Sequence, residues 1–284
     1  EELAGRIGEA DIVSVSMMWD NALIARAPRL RFIQSISAGI DQYDRAALQA
    51  AGVRLASAAG VNANAVAEHA MALILALARR LPEARDNQAR HVWRGMISDL
   101  GQREDELAGK TLLVVGLGRI GGRLARLAKA FDMRVLATRR DPSAGAGAAD
   151  AVAGMDGLGA MLGQADYVAL TCPLTPQTER LKDAGAFARM KPGAALINVA
   201  RGRCVDEPAL IAALQAGRLG AAGLDCAAEE PLDAASPLWG MANVLVTPHT
   251  AGETRAYEDN VIDILLENVD RLWRGEAALR NQVV

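Results

Sequence analysis

The most constraining feature of this chain is a glycine fingerprint at its middle, in the stretch KTLLVVGLGRIGGRLARLAKAF from Lys110 to Phe131. A run of leucyl and β-branched residues, Leu112 to Val115, ends at Gly116, Gly118 and Gly121, and Leu124, Leu127 and Ala128 then recur at helical spacing. The order is strand, turn, helix. Gly116 suits the tight turn, Gly118 lets backbone approach a pyrophosphate, and Gly121 or Gly122 lets the helix pack closely on the strand. Free N–H groups at the positive end of that helix then face the phosphates. With a second apolar strand from Met133 to Ala137, the stretch is expected to bind a dinucleotide and not merely to turn.

A length of 284 residues with 51% hydrophobic content is enough for about two domains with buried cores. The formal charge of −3 and an aromatic content of 4% give neither a basic stripe nor a stacking platform, so nucleic acid is not an expected partner. Cys172, Cys204 and Cys226 are odd in number and lack metal-like spacing. They read as reduced thiols, with no metal expected. The most apolar helical stretch, Ala65 to Ala78, is interrupted by Glu68 and His69 and stopped by Arg79 and Arg80. It is too short and too charged for a bilayer, and is expected as a buried or subunit-interface helix. No signal peptide is visible behind Glu1, so the expected location is cytoplasmic.

Strand-like and helical runs alternate along the chain. Ile12 to Ser16, Arg31 to Ile36 and Val53 to Ala56 read as short strands, separated by helical patterns at Leu23 to Ala27 and Asp44 to Ala51. A polar stretch from Leu81 to Ala108 follows the apolar helix, and strands are then expected near Leu112, Val135, Tyr167, Ala195, Gly220 and Val244. Six strands suit a doubly wound sheet. The Ala/Gly-rich segment from Ser143 to Gly163 reads as connection with a short helix at Leu158, Met161 and Leu162, and a last helix spans Glu253 to Trp273 with one strongly apolar face.

Seven segments resemble the D-isomer-specific 2-hydroxyacid dehydrogenase family, in family order: SAGIDQYD (37–44), NANAVAEHAMALILALARR (62–80), ELAGKTLLVVGLGRIGG (106–122), ADYVALTCPLTPQT (165–178), MKPGAALINVARGRCVDEPAL (190–210), GLDCAAEEPL (223–232) and NVLVTPHTAGET (243–254). The resemblance implies an α/β protein in which a doubly wound Rossmann-type nucleotide domain, residues 65–253, is inserted in a smaller, discontinuous flavodoxin-like substrate domain, residues 1–64 and 254–284. It implies an active cleft between the two and a homodimer formed through the nucleotide domain. Members of the family carry a further strand and helix ahead of the point where this chain begins, and Cys226 and Ala227 stand where many have a larger aliphatic and aromatic pair.

Reduction of a 2-keto acid needs a hydride donor, a proton donor for the carbonyl oxygen and a cation for the carboxylate. His249, after Thr247 and Pro248 at the end of an expected strand, stands where a ligand approaches the carboxyl edge of a sheet. An imidazole suits acid catalysis near neutrality. Arg201, after the strand Ala195 to Val199 and beside Gly202, offers a planar fork that holds a carboxylate in one orientation. A carboxylate on the other ring nitrogen would fix the tautomer of His249 and favour its charged form. Residue type alone leaves Glu229 and Glu230 open, and the resemblance selects Glu230 because it precedes Pro231. His69 and His91 read as structural.

The same resemblance assigns the substrate carboxylate to the backbone N–H groups of the Ala38–Gly39 turn, with Arg201 and His249 as the other substrate-binding residues. It assigns the cofactor to Gly116, Gly118, Arg119, Ile120, Gly121, Cys172, Pro173, Thr178, Val199, Ala200, Asp225, Ala251 and Gly252. At the end of the second strand, in VLATRRD, Arg139 occupies the place of the acidic residue that selects NAD, Arg140 follows, and Thr138 can donate to a phosphate oxygen. NADP is therefore expected ahead of NAD. The expected reaction is reduction of a small 2-keto acid of the glyoxylate or hydroxypyruvate class to the D-2-hydroxy acid. Glutamate at position 230 and the end of the chain at Val284 speak against formate oxidation and against the longer phosphoglycerate dehydrogenases. A nicotinamide-sensing corepressor and a phosphite dehydrogenase remain alternatives. Met17, Met18, Trp19 and Trp239 are candidate specificity residues, with core packing the expected role of Trp239.

Overall fold

A computed structural model of the chain describes residues 2–15 and 17–284. The chain divides into two compact units, Glu1–Asn62 with Glu253–Val284, and Ala63–Gly252. The first unit runs through α1 (Glu2–Arg6), β1 (Ile12–Val15), β2 (Phe32–Ser35), α2 (Arg45–Ala50) and β3 (Arg54–Ala56). Its strands form a parallel sheet in the order β1-β2-β3, with Val13 beside Ile33 and Ile33 beside Leu55. Ser16, expected to end the first strand, lies outside the described residues. Asp44 starts α2 by accepting the Ala47 N–H at 3.0 Å, and Asp20 starts the 3₁₀ turn Asn21–Arg26 in the same way through Ala22. Trp19 is buried against Tyr43, whereas Met17 is almost fully exposed.

The second unit opens with α3 (Ala63–Ala78), whose Val66, Ala67, Ala70, Leu73 and Ile74 are buried in the core of this unit. Next comes α4 (Leu81–Ala89), within the stretch expected to be merely polar. Pro82 in its first turn presets the helical φ, and Arg80 before it takes the left-handed conformation. Further along lie β4 (Thr111–Val115), α5 (Arg119–Ala130), β5 (Arg134–Thr138), β6 (Ala151–Ala153), α6 (Leu158–Leu162), β7 (Tyr167–Leu170), α7 (Ala184–Arg189), β8 (Ala195–Asn198), α8 (Glu207–Gln215), β9 (Ala221–Leu224) and β10 (Val244–Val246). The parallel sheet has seven strands where six were expected, because the edge strand β6 forms inside the Ala/Gly-rich connection. Three small residues, none fully buried, carry too little hydrophobic pattern to announce a strand.

Strand order is β10-β9-β8-β7-β4-β5-β6. The chain therefore winds outward from β4 through β5 and β6, then returns to the other side of β4 with β7. Every residue of β4 is buried; Leu112 and Val114 enter one core, and Leu113 and Val115 the other. Such two-sided burial is what a continuous apolar run encodes in a parallel sheet. The reversal lies between β4 and β7, so the crevice at their carboxyl ends is the place where ligands bind in this architecture.

The last helix, α9 (Tyr257–Trp273), belongs to the first unit and starts four residues later than the expected Glu253. Tyr257 donates to the Ile36 carbonyl at 2.6 Å, and the buried Asn268 donates to Gln34 at 3.0 Å. Val261, Ile264 and Leu272 are buried, but Ile262 and Leu266 are exposed, so the apolar face is wider than its packing. No helix among the described residues is long and apolar enough to cross a membrane.

Candidate active site

At the reversal the fingerprint closes on itself. Gly116 has φ of +105°, and a Cβ there would lie 2.8 Å from the Cys172 backbone after β7. A Cβ on Gly121 would lie 2.3 Å from the Gly116 carbonyl oxygen, whereas Gly122 meets nothing, so Gly121 is the close-packing glycine. Helix α5 starts at Gly118 with no side-chain cap, and the space beside Gly118 is open. The positive end of the α5 dipole thus faces open space beside Gly118, and these residues fit a bound dinucleotide pyrophosphate. Ile120 packs on the core behind the turn.

Around this turn, several expected cofactor residues shape the protein itself. Thr138 is completely buried with Oγ1 lacking a hydrogen-bond partner, and its carbonyl instead accepts the Gly116 and Leu117 N–H groups at 3.0 and 2.8 Å. In a sheet covered on both faces its side chain is sealed from solvent. Arg139 donates to the Ala144 and Gly145 carbonyls at 3.2 and 2.7 Å, while Arg140 is exposed. Asp141, the nearest acid, is occupied by the Ser143 hydroxyl and N–H at 2.6 and 3.0 Å, and these bonds hold its carboxyl below the ordinary range. The Thr178 hydroxyl donates to the Pro173 carbonyl at 2.7 Å and accepts the Thr175 N–H, closing the loop after Cys172.

The charged residues come from the ends of β8, β9 and β10. Buried Val199 and Ala200 lead from β8 to Arg201, whose carbonyl and the Ala200 N–H are both bonded by Asn198 at 3.0 and 3.1 Å. Arg201 Nη1 donates to the Ala200 carbonyl at 2.7 Å. A Cβ on the next residue, Gly202, would sit 1.8 Å from the Ala227 carbonyl oxygen, so only glycine lets the arginine turn press against the glutamate loop. In that loop Glu230 Oε1 accepts the Ala227 N–H at 3.1 Å, and Oε2 lies 2.8 Å from His249 Nδ1. A carboxylate only accepts, so Nδ1 carries the proton and Nε2 is left for chemistry. The Cys226 thiol is pushed up by burial, with Glu230 and Asp225 adding to the shift and Arg201 opposing it; acid and guanidinium therefore flank one buried sulfur.

His249 sits in the left-handed region at φ of +57°, a conformation that a residue with a Cβ adopts only when its neighbours hold it there. Asp225 does the holding. Its Oδ1 accepts the Thr247 hydroxyl at 2.6 Å and the Thr250 N–H at 3.0 Å, and Oδ2 accepts the Ala251 N–H at 3.0 Å. Only 2% exposed, Asp225 has both carboxylate oxygens engaged by this loop. Ala251 is likewise buried. Ala38 and Gly39 belong to the first unit, in the bend after β2, where the Ser37 hydroxyl donates to the Gly39 carbonyl at 2.9 Å. Trp239, expected in the core, is 55% exposed with Nε1 donating to the Asp233 carbonyl.

Two polar features escaped sequence reasoning. His69, read as structural, bonds Thr247 from α3 at 2.9 Å. Its signal was a histidine in an otherwise apolar helix. Lys182 is completely buried with Nζ unpartnered, and burial pushes it down to about 8. Nothing in the string TERLKDAG announces that.

A sequence profile of the D-isomer specific 2-hydroxyacid dehydrogenase NAD binding domain matches residues 71–251. A D-3-phosphoglycerate dehydrogenase from Mycobacterium bovis is 38% identical over 97% of this chain and 52% of its own length. The chain thus spans about half the length of these first curated relatives. A glyoxylate/hydroxypyruvate reductase B from Shigella boydii is 40% identical over 89% of this chain and 80% of its own. Among solved structures, a D-isomer specific 2-hydroxyacid dehydrogenase family protein from Aeromonas salmonicida superposes with a TM-score of 0.86 at 33% identity, covering 100% of this chain and 88% of that one. With the fingerprint at the sheet reversal and the profile spanning most of the second unit, the chain belongs to the D-isomer specific 2-hydroxyacid dehydrogenase family.

Proposed function

We propose that the protein reduces a small 2-keto acid of the glyoxylate or hydroxypyruvate class to its D-2-hydroxy acid, with NADPH preferred over NADH. The observation that carries this reading is the Glu230–His249 pair at 2.8 Å on a loop held at the carboxyl edge of the nucleotide-binding sheet. The bound nicotinamide supplies the hydride. His249 Nε2 donates the proton to the carbonyl oxygen as it becomes an alkoxide. Glu230 holds the ring through Nδ1 and so aims Nε2 at the substrate. The Arg201 fork grips the substrate carboxylate and fixes the carbonyl against His249. Charge around β5 supports NADPH: Arg139 and Arg140 follow the strand, and the nearby Asp141 is engaged by Ser143.

Identity to the glyoxylate/hydroxypyruvate reductase supports this substrate class, and similarity to the phosphoglycerate dehydrogenase supplies a second reading in which the substrate carries a phosphate. The test is a panel of glyoxylate, hydroxypyruvate, pyruvate and phosphohydroxypyruvate with both reduced cofactors. The expected outcome is D-glycerate from hydroxypyruvate, with kcat/KM higher for NADPH. Turnover confined to phosphohydroxypyruvate would select the second reading, and dinucleotide binding without turnover would leave a sensor. The reading includes a homodimer through the nucleotide domain, supported by Trp93 and Met96 at 98% and 91% exposure and checked by sedimentation.

A further inference from the structure

Thr247 fixes the direction of a hydrogen-bond chain that begins outside the reacting groups. Its hydroxyl has one proton, and the Asp225 carboxylate 2.6 Å away can only accept it. The Thr247 oxygen must then accept from His69 Nε2 at 2.9 Å. The same nitrogen lies 3.5 Å from Asp225 Oδ1. From Asp225 the chain continues to the N–H groups of Thr250 and Ala251, the two residues that follow His249. On the other side, the Thr247 N–H is tied to the Leu224 carbonyl at 2.8 Å and the Thr247 carbonyl accepts the His249 N–H at 3.0 Å. The left-handed His249 is therefore clamped on both flanks through one buried carboxylate, and His69 is the link that joins this clamp to α3.

We propose that His69 is a positioning residue: as its Nε2–H tautomer it orients the Thr247 hydroxyl toward Asp225 and so holds the His249 loop in register for proton transfer. It touches neither Glu230 nor Arg201 by hydrogen bond among the described residues, so its removal acts on the placement of the acid and leaves the anchoring of the substrate carboxylate alone. Small misplacements of a reacting group reduce rate steeply, by about 100-fold for 1 Å.

The kinetic consequence rests on the reductase reading, whereas the tautomer and the clamp do not, so the experiment reads both. With three histidines in the chain, the imidazole nitrogens can be assigned by ¹⁵N NMR on the full-length protein. The expected spectrum shows His69 protonated at Nε2, and in His69→Leu the Thr250 and Ala251 amides lose protection from exchange. In the preferred keto acid assay His69→Leu is expected to lower kcat by about 10- to 100-fold with KM changed by less than about threefold. His69→Gln, which can return an amide donor to Thr247, is expected to recover kcat to within about threefold of the parent. A His69 unprotonated at Nε2, unchanged Thr250 and Ala251 exchange in His69→Leu, or a glutamine variant as slow as the leucine variant would each overturn the proposal. Absence of keto acid turnover in the parent protein, with the NMR results as expected, would sink the reductase reading and leave the clamp standing.

Discussion

Asp225 and Lys182 are both ionisable side chains sealed beside the same sheet, yet their surroundings are opposite. The carboxylate of Asp225 gathers a hydroxyl and two backbone N–H groups, while the ammonium nitrogen of Lys182 has no hydrogen-bond partner. One loop, carrying the candidate acid His249, is built around a satisfied buried charge. The segment from Cys172 to Cys204 instead encloses an unsatisfied one, with the Cys172 thiol nearby. The difference shows that burial alone does not tell what a charged side chain does for a fold. What matters is whether its partners are supplied.

The hardest way to break this comparison is to remove the group the Asp225 loop presents. His249→Ala is expected to lower kcat by roughly 10²- to 10⁴-fold with little change in melting temperature, and steady-state kinetics beside a thermal melt check both halves. An unchanged kcat would mean that the clamped loop serves something other than acid catalysis. Asp225→Ala comes next. It strands two N–H groups and a hydroxyl, so unfolding in urea should show a loss of roughly 2–4 kcal/mol together with a fall in kcat.

Replacement of Lys182 should have the opposite sign. Its folded pKa of about 8 lies below the ordinary 10.5, so the native state holds this proton less well than the unfolded chain. Above about pH 10.5 neither state is charged and the penalty vanishes; it grows as the pH falls toward 8 and then stays constant at about 3 kcal/mol. Lys182→Met, which keeps the volume, is therefore expected to stabilise the protein by about 2–3 kcal/mol at pH 7 and by little near pH 10.5. Urea midpoints of parent and variant at the two pH values give the answer, and destabilisation at pH 7 would show that the amine has a native-state partner.

Much of the second unit was legible because its signals are local. Leu112 to Val115 is an uninterrupted apolar run, and the spacing of Gly116, Gly118 and Gly121 gives the turn that follows. β6 was missed because Ala151–Ala153 becomes a strand only by pairing with Leu136 to Thr138. Helix α4 was missed because a polar stretch shows no apolar period, although Pro82 marked its start. Thr138 and Asp225 illustrate a different gap: residue type names a donor or an acceptor, but the direction of the side chain comes from packing.

By itself the sequence determined that this chain winds a parallel sheet around a glycine turn and that an arginine, a glutamate and a histidine follow it, because such features are written in spacings of a few residues. Tertiary structure alone decided that Glu230 meets His249, that Gly202 must yield to Ala227, and that His69 reaches Thr247 across 178 positions. Those pairings depend on which strand ends lie side by side, and strand order is settled by burial of the whole sheet and not by any stretch of residues within it.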